Sequence, residues 1–180
     1  MAKANLLFVG TDDGLVLFSQ PGATGRWLRV GHVLRATRVD AVWADADDPT
    51  QLGVSTADGQ TLRSQDSGDS WADSQEALPR ADALPPGVLA RLPGNTPIYL
   101  GLRDGTIARG ETPDAAEPTE SDTPWQGALT LVQPANYHID TAFAGTDAGQ
   151  IMVSTDRGRR WQQIRADLPP IRSIAAARLA

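Results

Sequence analysis

Four copies of a short hairpin pattern divide this chain, and their spacing constrains the fold more than any other feature. The copies begin at Gly10, Ser55, Gly101 and Gly145, so that successive starts lie 45, 46 and 44 residues apart. Self-similarity at such a period is typical of propeller and solenoid arrays. Asp-Gly or Ala-Gly turns separate short apolar runs, and no stretch has a sustained helical period of apolar residues. The pattern therefore predicts one β-rich unit repeated four times.

Each repeat has room for about four short strands, which is the content of one propeller blade. We predict an all-β chain, a four-bladed β-propeller of four-stranded antiparallel blades, forming a single domain over residues 1–180. The repeats fall at roughly 5–44, 45–92, 93–132 and 133–180. Innermost strands are predicted at 39–44, 88–92, 128–132 and 171–177, and outermost strands beginning at Trp27, Trp71, Trp125 and Trp161.

The two ends of the chain predict how the first blade is completed. The chain begins with a second strand, at 6–10, and ends with an innermost strand, at 171–177. We expect the C-terminal strand to complete the first blade, because this covers two sheet edges that would otherwise be free to aggregate. The alternative is that it completes the first blade of a second subunit, making half of an eight-bladed homodimeric propeller. A monomer is the expectation.

Two local features carry further predictions. The turns of the four hairpins are Asp13-Gly14, Asp58-Gly59, Asp104-Gly105 and Ala148-Gly149. The Asp-Gly dipeptide favours a two-residue primed turn, because both residues tolerate a positive φ. Residues 111–124 are rich in Pro, Thr, Asp and Glu, which predicts an acidic, mobile connection inside the third blade.

Composition excludes several classes of function. The net charge of −6 argues against a general nucleic-acid binder, which needs a basic surface. The chain has no cysteine, which excludes disulfides and thiol chemistry. Its start has only a four-residue apolar run, too short for a signal peptide or a membrane span. We expect a cytoplasmic protein without a membrane partner.

Two hairpins are followed by the same eight-residue pattern, Ser-x-Asp-x-Gly-x-x-Trp. In such a pattern the Ser and Asp side chains accept hydrogen bonds from nearby backbone N–H groups, and Trp anchors the next strand. The residues with this structural role are Ser64, Asp66, Gly68 and Trp71 in the second repeat, and Ser154, Asp156, Gly158 and Trp161 in the fourth.

This pattern resembles the Asp-box, or BNR repeat, of sialidases, sortilin-type receptors and photosystem II assembly propellers, and the repeat also resembles the WD40/YVTN-like type. The resemblance implies a propeller whose boxes lie on the rim away from an active site. Sialidases of the family use six blades, an arginine triad, a Tyr–Glu nucleophile pair and an Asp acid/base. This chain has four repeats, lacks the Arg-Ile-Pro signature, and its two tyrosines, Tyr99 and Tyr137, lie beside apolar residues.

No catalytic constellation is evident elsewhere. The adjacent carboxylates Asp12–Asp13 and Asp47–Asp48 are turn formers, since neighbours on a turn point apart whereas a glycosidase needs two facing carboxyls. We predict no catalytic residue, no cofactor and no metal ligand. A cation in the central channel would be compatible with the sequence but is not indicated by it.

The remaining candidate is one rim of the propeller. If the four hairpin turns share a rim, their carboxylates form a ring that suits a cation or a basic peptide, although Asp as a turn former explains them more simply. The candidate ligand rim comprises Asp13, Asp58, Asp104, Asp147, Arg35 and Arg38. We predict a non-enzymatic scaffold that binds a protein or peptide. The alternatives are a glycan-binding or sialidase-like glycoside hydrolase module, and a fragment or designed propeller without a ligand.

Overall fold

The computed structural model describes residues 3–179, which are almost entirely β-strand and connecting turns. The strands are β1 (Ala4–Thr11), β2 (Gly14–Pro21), β3 (Leu28–Val33), β4 (Val39–Ala44), β5 (Leu52–Thr56), β6 (Thr61–Ser64), β7 (Ala72–Ser74), β8 (Val88–Leu92), β9 (Ile98–Arg103), β10 (Thr106–Gly110), β11 (Glu117–Pro118), β12 (Glu120–Ser121), β13 (Leu129–Pro134), β14 (Ala142–Thr146), β15 (Ile151–Ser154), β16 (Arg160–Arg165) and β17 (Ile171–Leu179). A single 3₁₀ turn covers Pro113–Ala115.

These strands form four sheets, one for each repeat, which we call blades 1 to 4. The strand orders are β17-β1-β2-β3, β4-β5-β6-β7, β8-β9-β10-β11 and β13-β14-β15-β16, with β12 added outside β16. Neighbouring strands are antiparallel except β12, which runs parallel to β16. The predicted fold class, an all-β chain of four antiparallel four-stranded blades, is confirmed.

The C-terminal strand completes blade 1 of the same chain, as the sequence predicted. β17 pairs with β1 along its length, from Ala4 opposite Leu179 to Thr11 opposite Ile171. Arg178 Nε also donates a hydrogen bond of 2.9 Å to Asn5 Oδ1. The first and last strands of the chain are therefore adjacent members of one ladder.

The chain divides into two compact units, each with its own apolar core. One unit contains blades 1 and 2, from residues 3–80 and 169–179, and the other contains blades 3 and 4, from residues 81–168. The first core includes Phe8, Leu15, Leu52, Val54 and Ala177. The second includes Leu92, Leu100, Ile107, Met152 and Trp161. No helix within residues 3–179 has the length and apolarity to cross a membrane.

The prediction that residues 111–124 form an irregular connection inside the third blade is wrong. This segment contains the 3₁₀ turn, then β11 as the fourth strand of blade 3, then β12 against β16. Backbone hydrogen bonds fix it, including Thr119 N–H to Ile107 O at 3.0 Å and Asp122 N–H to Trp161 O at 2.9 Å. The composition is that of a loop, but neighbouring strands supply the partners that hold it.

The fourth strand of blade 3 consequently does not begin at Trp125. That residue lies in the connection to β13 and is half-buried. Its ring packs edge-on against that of Trp161, with centroids 6.0 Å apart and an interplanar angle of 60°. Trp125 thus serves the core of its unit as an aromatic partner rather than as the start of a strand.

The primed turns predicted from Asp-Gly occur in one hairpin only. Asp104 and Gly105 both have positive φ, 51° and 78°. In the other three hairpins only the glycine has a positive φ. This is typical of a hairpin loop longer than two residues that ends with a glycine in the left-handed conformation. The three longer turns follow a threonine, Thr11, Thr56 or Thr146, whose hydroxyl bonds within the turn, whereas blade 3 has Leu102 at that place. The primed turn thus occurs in the hairpin that lacks this threonine.

Candidate functional site

The turn after β6 is held by its own side chains. Ser64 Oγ accepts hydrogen bonds from the N–H groups of Asp66, at 3.3 Å, and Gly68, at 2.9 Å, and it donates to Asp66 Oδ1 at 2.7 Å. Asp66 also accepts from Ser70, through N–H at 2.9 Å and through the hydroxyl at 2.5 Å. Trp71 Nε1 donates to Gly68 O at 3.0 Å, closing the turn.

The turn after β15 repeats this arrangement. Ser154 Oγ accepts from Gly158 N–H at 2.8 Å and donates to Asp156 Oδ1 at 2.8 Å. Asp156 Oδ1 accepts from the N–H groups of Arg159, at 3.0 Å, and Arg160, at 2.9 Å. Trp161 is fully buried, and no hydrogen-bond partner reaches its Nε1 within residues 3–179. The geometry is the one expected of structural turn residues.

Hydrogen bonding changes the ionisation of the second-repeat carboxylate. The hydrogen bonds from the Ser70 hydroxyl and N–H and from the Ser64 hydroxyl lower the pKa of Asp66 to about 2, because each donor stabilises the ionised form. A carboxylate held this way is a permanent acceptor for its own turn. It is not suited to exchange a proton near neutral pH.

The candidate rim residues of the first unit are held by their own surroundings. Asp13 Oδ1 accepts a hydrogen bond of 2.7 Å from Ala36 N–H. The Thr56 hydroxyl donates to Asp58, which lowers the pKa of Asp58. Arg38 Nε lies 2.6 Å from Asp40 Oδ1 and 3.7 Å from Asp12 Oδ1. Arg35 is exposed.

No hydrogen bond or ion pair connects Asp13, Asp58, Arg35 and Arg38 with one another in the described part of the chain. The strongest charge contact nearby belongs to Asp12 instead. Its carboxylate takes two hydrogen bonds from Arg172, at 2.6 and 2.8 Å. The hydrogen bond from Arg172, and then the charges of Arg172 and Arg38, lower the pKa of Asp12. The acid and basic groups of this region thus neutralise each other.

The two rim residues of the second unit differ from each other. Asp104 occupies the first position of the primed turn and is exposed. Asp147 Oδ1 accepts from Ala128 N–H at 2.7 Å, and Asp147 N–H donates to Ala128 O at 2.9 Å. Asp12 N–H likewise donates to Pro170 O at 3.0 Å, ahead of β17. Asp147 therefore corresponds to Asp12 in the repeat. The candidate rim had instead grouped Asp147 with Asp13.

A cleft in the second unit was not predicted. Its volume is about 530 Å³, and it opens between the end of β10, the 3₁₀ segment, β11, β12 and the start of β16. The segment predicted to be mobile forms one wall. The lining residues are Arg109, Gly110, Glu111, Ala115, Glu117, Pro118, Thr119, Glu120, Arg159 and Arg160.

The arginines of the cleft are not equally paired. Arg160 Nε lies 3.0 Å from Glu120 Oε2, and both side chains are three-quarters exposed. Arg109 Nε donates to Arg157 O at 2.8 Å, and Arg159 Nη1 donates to Asp156 O at 3.3 Å. Within residues 3–179 neither Arg109 nor Arg159 has a carboxylate oxygen within 4.0 Å.

The charges around Arg109 shift its pKa in both directions. Burial lowers the pKa of Arg109, and the positive charges of Arg159 and Arg157 lower it further, whereas the negative charges of Asp156 and Glu111 raise it. An arginine stays charged under such conditions. Arg109 and Arg159 therefore repel each other, and Asp156 and Glu111 offset part of this repulsion without lying within 4.0 Å of either guanidinium.

Arg159 and Arg160 occupy the two variable positions before Trp161 in the Ser-x-Asp-x-Gly-x-x-Trp pattern, and no sequence pattern singles out Arg109. A signal was present, because the second-repeat turn has Asp69 and Ser70 where the fourth has Arg159 and Arg160. The two turns therefore share their Ser, Asp, Gly and Trp but differ in charge at the positions between them.

Comparisons with known proteins give structural neighbours only. A structure of YCF48 bound to D1 peptide overlaps 91% of this chain and 38% of its own length, with 16% identity and a TM-score of 0.26. An ancestral GH74 enzyme overlaps 88% of this chain and 22% of its own, with 17% identity and a TM-score of 0.33. YCF48 from Cyanidioschyzon merolae overlaps 71% and 37%, with 16% identity and a TM-score of 0.29.

These neighbours are β-propeller proteins. The chain spans less than two fifths of the length of each. No protein-family model matches the chain, and no curated protein does. Likeness at this level does not carry a ligand or an activity from one protein to another.

The described part of the chain contains no cluster of side chains that could bind a metal ion. No group of three or more His, Asp or Glu side chains among residues 3–179 is arranged to hold an ion. His32 Nε2 contacts Asp13 O, and its Nδ1 lies 2.9 Å from Arg29 Nη2. His138 Nδ1 accepts from Asp140 N–H at 3.3 Å.

Proposed function

We propose that the chain is a non-enzymatic binding scaffold that recognises an acidic segment of a partner protein in the cleft of its second unit. The observation that carries the proposal is the pair Arg109 and Arg159, two cations on one cleft without a carboxylate partner within 4.0 Å in the described chain. Carboxylates are natural partners for guanidinium groups because the two planar groups can share two hydrogen bonds.

The shape of the cleft fits a peptide side chain better than a buried small molecule. The cleft is open, and its lining contains Glu111, Glu117 and Glu120 as well as the arginines. A segment that carries one or two acidic residues among uncharged ones would satisfy the arginines and keep its other groups away from the glutamates. A uniformly acidic polymer would fit less well.

The carboxylates that could serve catalysis support a binding role instead. Asp45 Oδ1 accepts from the N–H groups of Asp47 and Asp48, at 2.8 and 3.0 Å. Asp48 Oδ1 accepts from the hydroxyl and N–H of Thr50, which lowers the pKa of Asp48. A general acid needs a raised pKa, so the lowered pKa of Asp48 does not suit that role.

A titration with the labelled octapeptide Ser-Gly-Glu-Ser-Gly-Glu-Ser-Gly tests the proposal. We expect binding that weakens with salt, and a loss of affinity of about tenfold or more in R109Q/R159Q, since two charge-assisted contacts disappear. R91Q is the matched control, an exposed arginine on β8 outside the cleft. Equal affinity of the glutamine version of the peptide, or an equal loss in R91Q, would contradict the proposal.

Enzyme activity is tested in parallel with a panel of fluorogenic glycosides, sialosides included. We expect no turnover above that of heat-unfolded protein. Turnover that R109Q/R159Q abolishes would overturn the binding-only role and make the cleft an active site.

A further inference from the structure

Blade 4 shows how an outermost strand of this chain accepts another strand. β12 lies outside β16 in parallel, with Glu120 opposite Arg160 and Ser121 opposite Trp161. The outward carbonyl of Arg159 accepts from Glu120 N–H at 3.2 Å, and that of Trp161 accepts from Asp122 N–H at 2.9 Å. Asp122 Oδ1 then accepts from Gln163 N–H at 3.1 Å, ending the ladder.

The added strand is acidic and its acceptor strand is basic. Glu120 and Asp122 lie against a strand that starts at Arg159 and Arg160, and Arg160 forms the ion pair of 3.0 Å with Glu120. Because β12 has no apolar core of its own, backbone pairing and charge complementarity hold it in place.

β3 is the strand of blade 1 that corresponds to β16. Phe18 pairs with Arg29 in blade 1, and Val153 pairs with Gln162 in blade 4. Phe18 and Val153 occupy the same place in the repeat, one residue before a serine that both blades share, Ser19 in β2 and Ser154 in β15. By this register Leu28 corresponds to Trp161, the residue whose carbonyl accepts from Asp122.

The outer edge of β3 has no strand upon it. Within residues 3–179, no backbone hydrogen bond reaches β3 from outside its own sheet. Leu28 is 47% exposed and Val30 is 60% exposed. Val30 is also the bulged residue opposite the step from Leu17 to Phe18, so it is left without a partner residue in β2.

The outer edge strand of blade 2, β7, differs from β3 in length and in its exposed side chains. β7 has three residues, and its middle residue is the exposed Asp73. A short edge strand with an acidic residue is a usual protection against unwanted pairing. β3 has six residues, two exposed apolar side chains and the exposed arginines Arg26 and Arg29 at its start. The bulge at Val30 and the charge of Arg29 are edge protections too, so β3 differs from β7 in its length and in its exposed apolar side chains.

We propose that β3 is a docking strand for an extended acidic segment of a partner protein, which adds to the outer edge of blade 1 in parallel as β12 adds to β16. Leu28 O and Gly31 N–H provide the backbone contacts, at the places of Trp161 and Gln163. Gly31 pairs with Leu17 as Gln163 pairs with Met152. Arg26 and Arg29 face the acidic side chains, and Leu28 and Val30 bury part of their exposed surface. This surface lies in the first unit and is independent of the arginine cleft.

The test uses the chain's own acidic strand as probe. A fluorescent peptide with the sequence of residues 115–125 is titrated into R109Q/R159Q, so that the cleft does not contribute. The intramolecular β12 keeps its place on β16, because its effective concentration exceeds that of the free peptide. We expect saturable binding, with backbone amide shifts confined to residues 26–31.

Three variants decide the outcome. Leu28→Glu is expected to lower the affinity about tenfold or more, since it replaces apolar contact by a repelling charge, and R26E/R29E is expected to do the same with loss of the salt dependence. Leu102→Glu is the matched control, because Leu102 is 51% exposed on β9, and it should leave binding unchanged. Unaltered unfolding midpoints establish that each variant is folded.

Each other result overturns the proposal. Equal binding by Leu28→Glu and the parent places the peptide elsewhere. Shifts at residues 159–163 mean that the peptide displaces β12. Self-association in sedimentation that Leu28→Glu abolishes makes a second copy of this chain, rather than an acidic partner, the occupant of β3.

Discussion

Arg172 donates two hydrogen bonds to Asp12, from Nε to Oδ1 at 2.6 Å and from Nη2 to Oδ2 at 2.8 Å, across 160 residues of sequence. Arg172 lies on β17 and Asp12 lies in the turn between β1 and β2. The pair therefore joins the last strand of the chain to the first hairpin by a bidentate contact, in addition to the backbone ladder of β1 and β17.

A double-mutant cycle with Asp12→Asn and Arg172→Gln measures this contact. Both side chains are about one third exposed, so we expect a coupling of about 1 kcal/mol in the free energy of unfolding near pH 7. Because the folded-state pKa of Asp12 is lowered, the coupling is present above the unfolded value of about 3.9 and is lost as the pH falls through the lowered value. No coupling at pH 7 would contradict the bidentate geometry.

The ionisation of Asp66 can be followed directly by NMR. Donors from Ser70 and Ser64 place its pKa at about 2, so its contribution to stability is full above about pH 4 and is lost as the pH falls toward 2. Ser70→Ala removes the largest donor and is expected to raise the pKa. Ser74→Ala, which removes a hydroxyl outside this turn, should leave the titration unchanged. An ordinary pKa for Asp66 in the parent chain would contradict the hydrogen bonding of this turn.

Two glycines at equivalent turns separate backbone strain from steric fit. Gly59 and Gly149 have φ of 88° and 81°, but a Cβ at Gly59 meets nothing within 4 Å, whereas one at Gly149 would lie 1.7 Å from Leu168 O. We expect Gly59→Ala to cost about 1 kcal/mol of unfolding free energy, and Gly149→Ala more than about 3 kcal/mol, since the backbone must move. Urea unfolding measures both, and similar costs would contradict the close approach of Leu168.

The repeat pattern was sufficient to predict the strands that recur from blade to blade. The innermost strands at Val39–Ala44 and Val88–Leu92 have the predicted bounds, and β17 completes blade 1. These strands are apolar and bounded by turn residues, so local sequence and tertiary pairing agree. The hairpin turns were less well predicted, because the same Asp-Gly dipeptide forms a primed turn at Asp104-Gly105 but not at Asp13-Gly14 or Asp58-Gly59.

The cleft could not be predicted from the same pattern. Its wall includes β11 and β12, four residues of which two are Glu and one is Pro, a composition with low strand propensity. They are strands because β10 and β16 offer free edges beside them. The unpaired state of Arg109 likewise depends on which carboxylates come near in the fold, which spacing in the sequence does not specify.

The central claim is that this chain completes its first blade with its own last strand. The chain has no cysteine, so a single engineered pair tests it: Asn5→Cys with Arg178→Cys, residues opposite each other on β1 and β17. Opposite residues of antiparallel strands lie about 4.5–5.5 Å apart between Cα atoms, within the range that a disulfide spans. Oxidation of the folded protein followed by non-reducing electrophoresis should give cross-linked single chains, at any protein concentration. Disulfide-linked pairs of chains formed in place of them would contradict the claim and support the eight-bladed dimer.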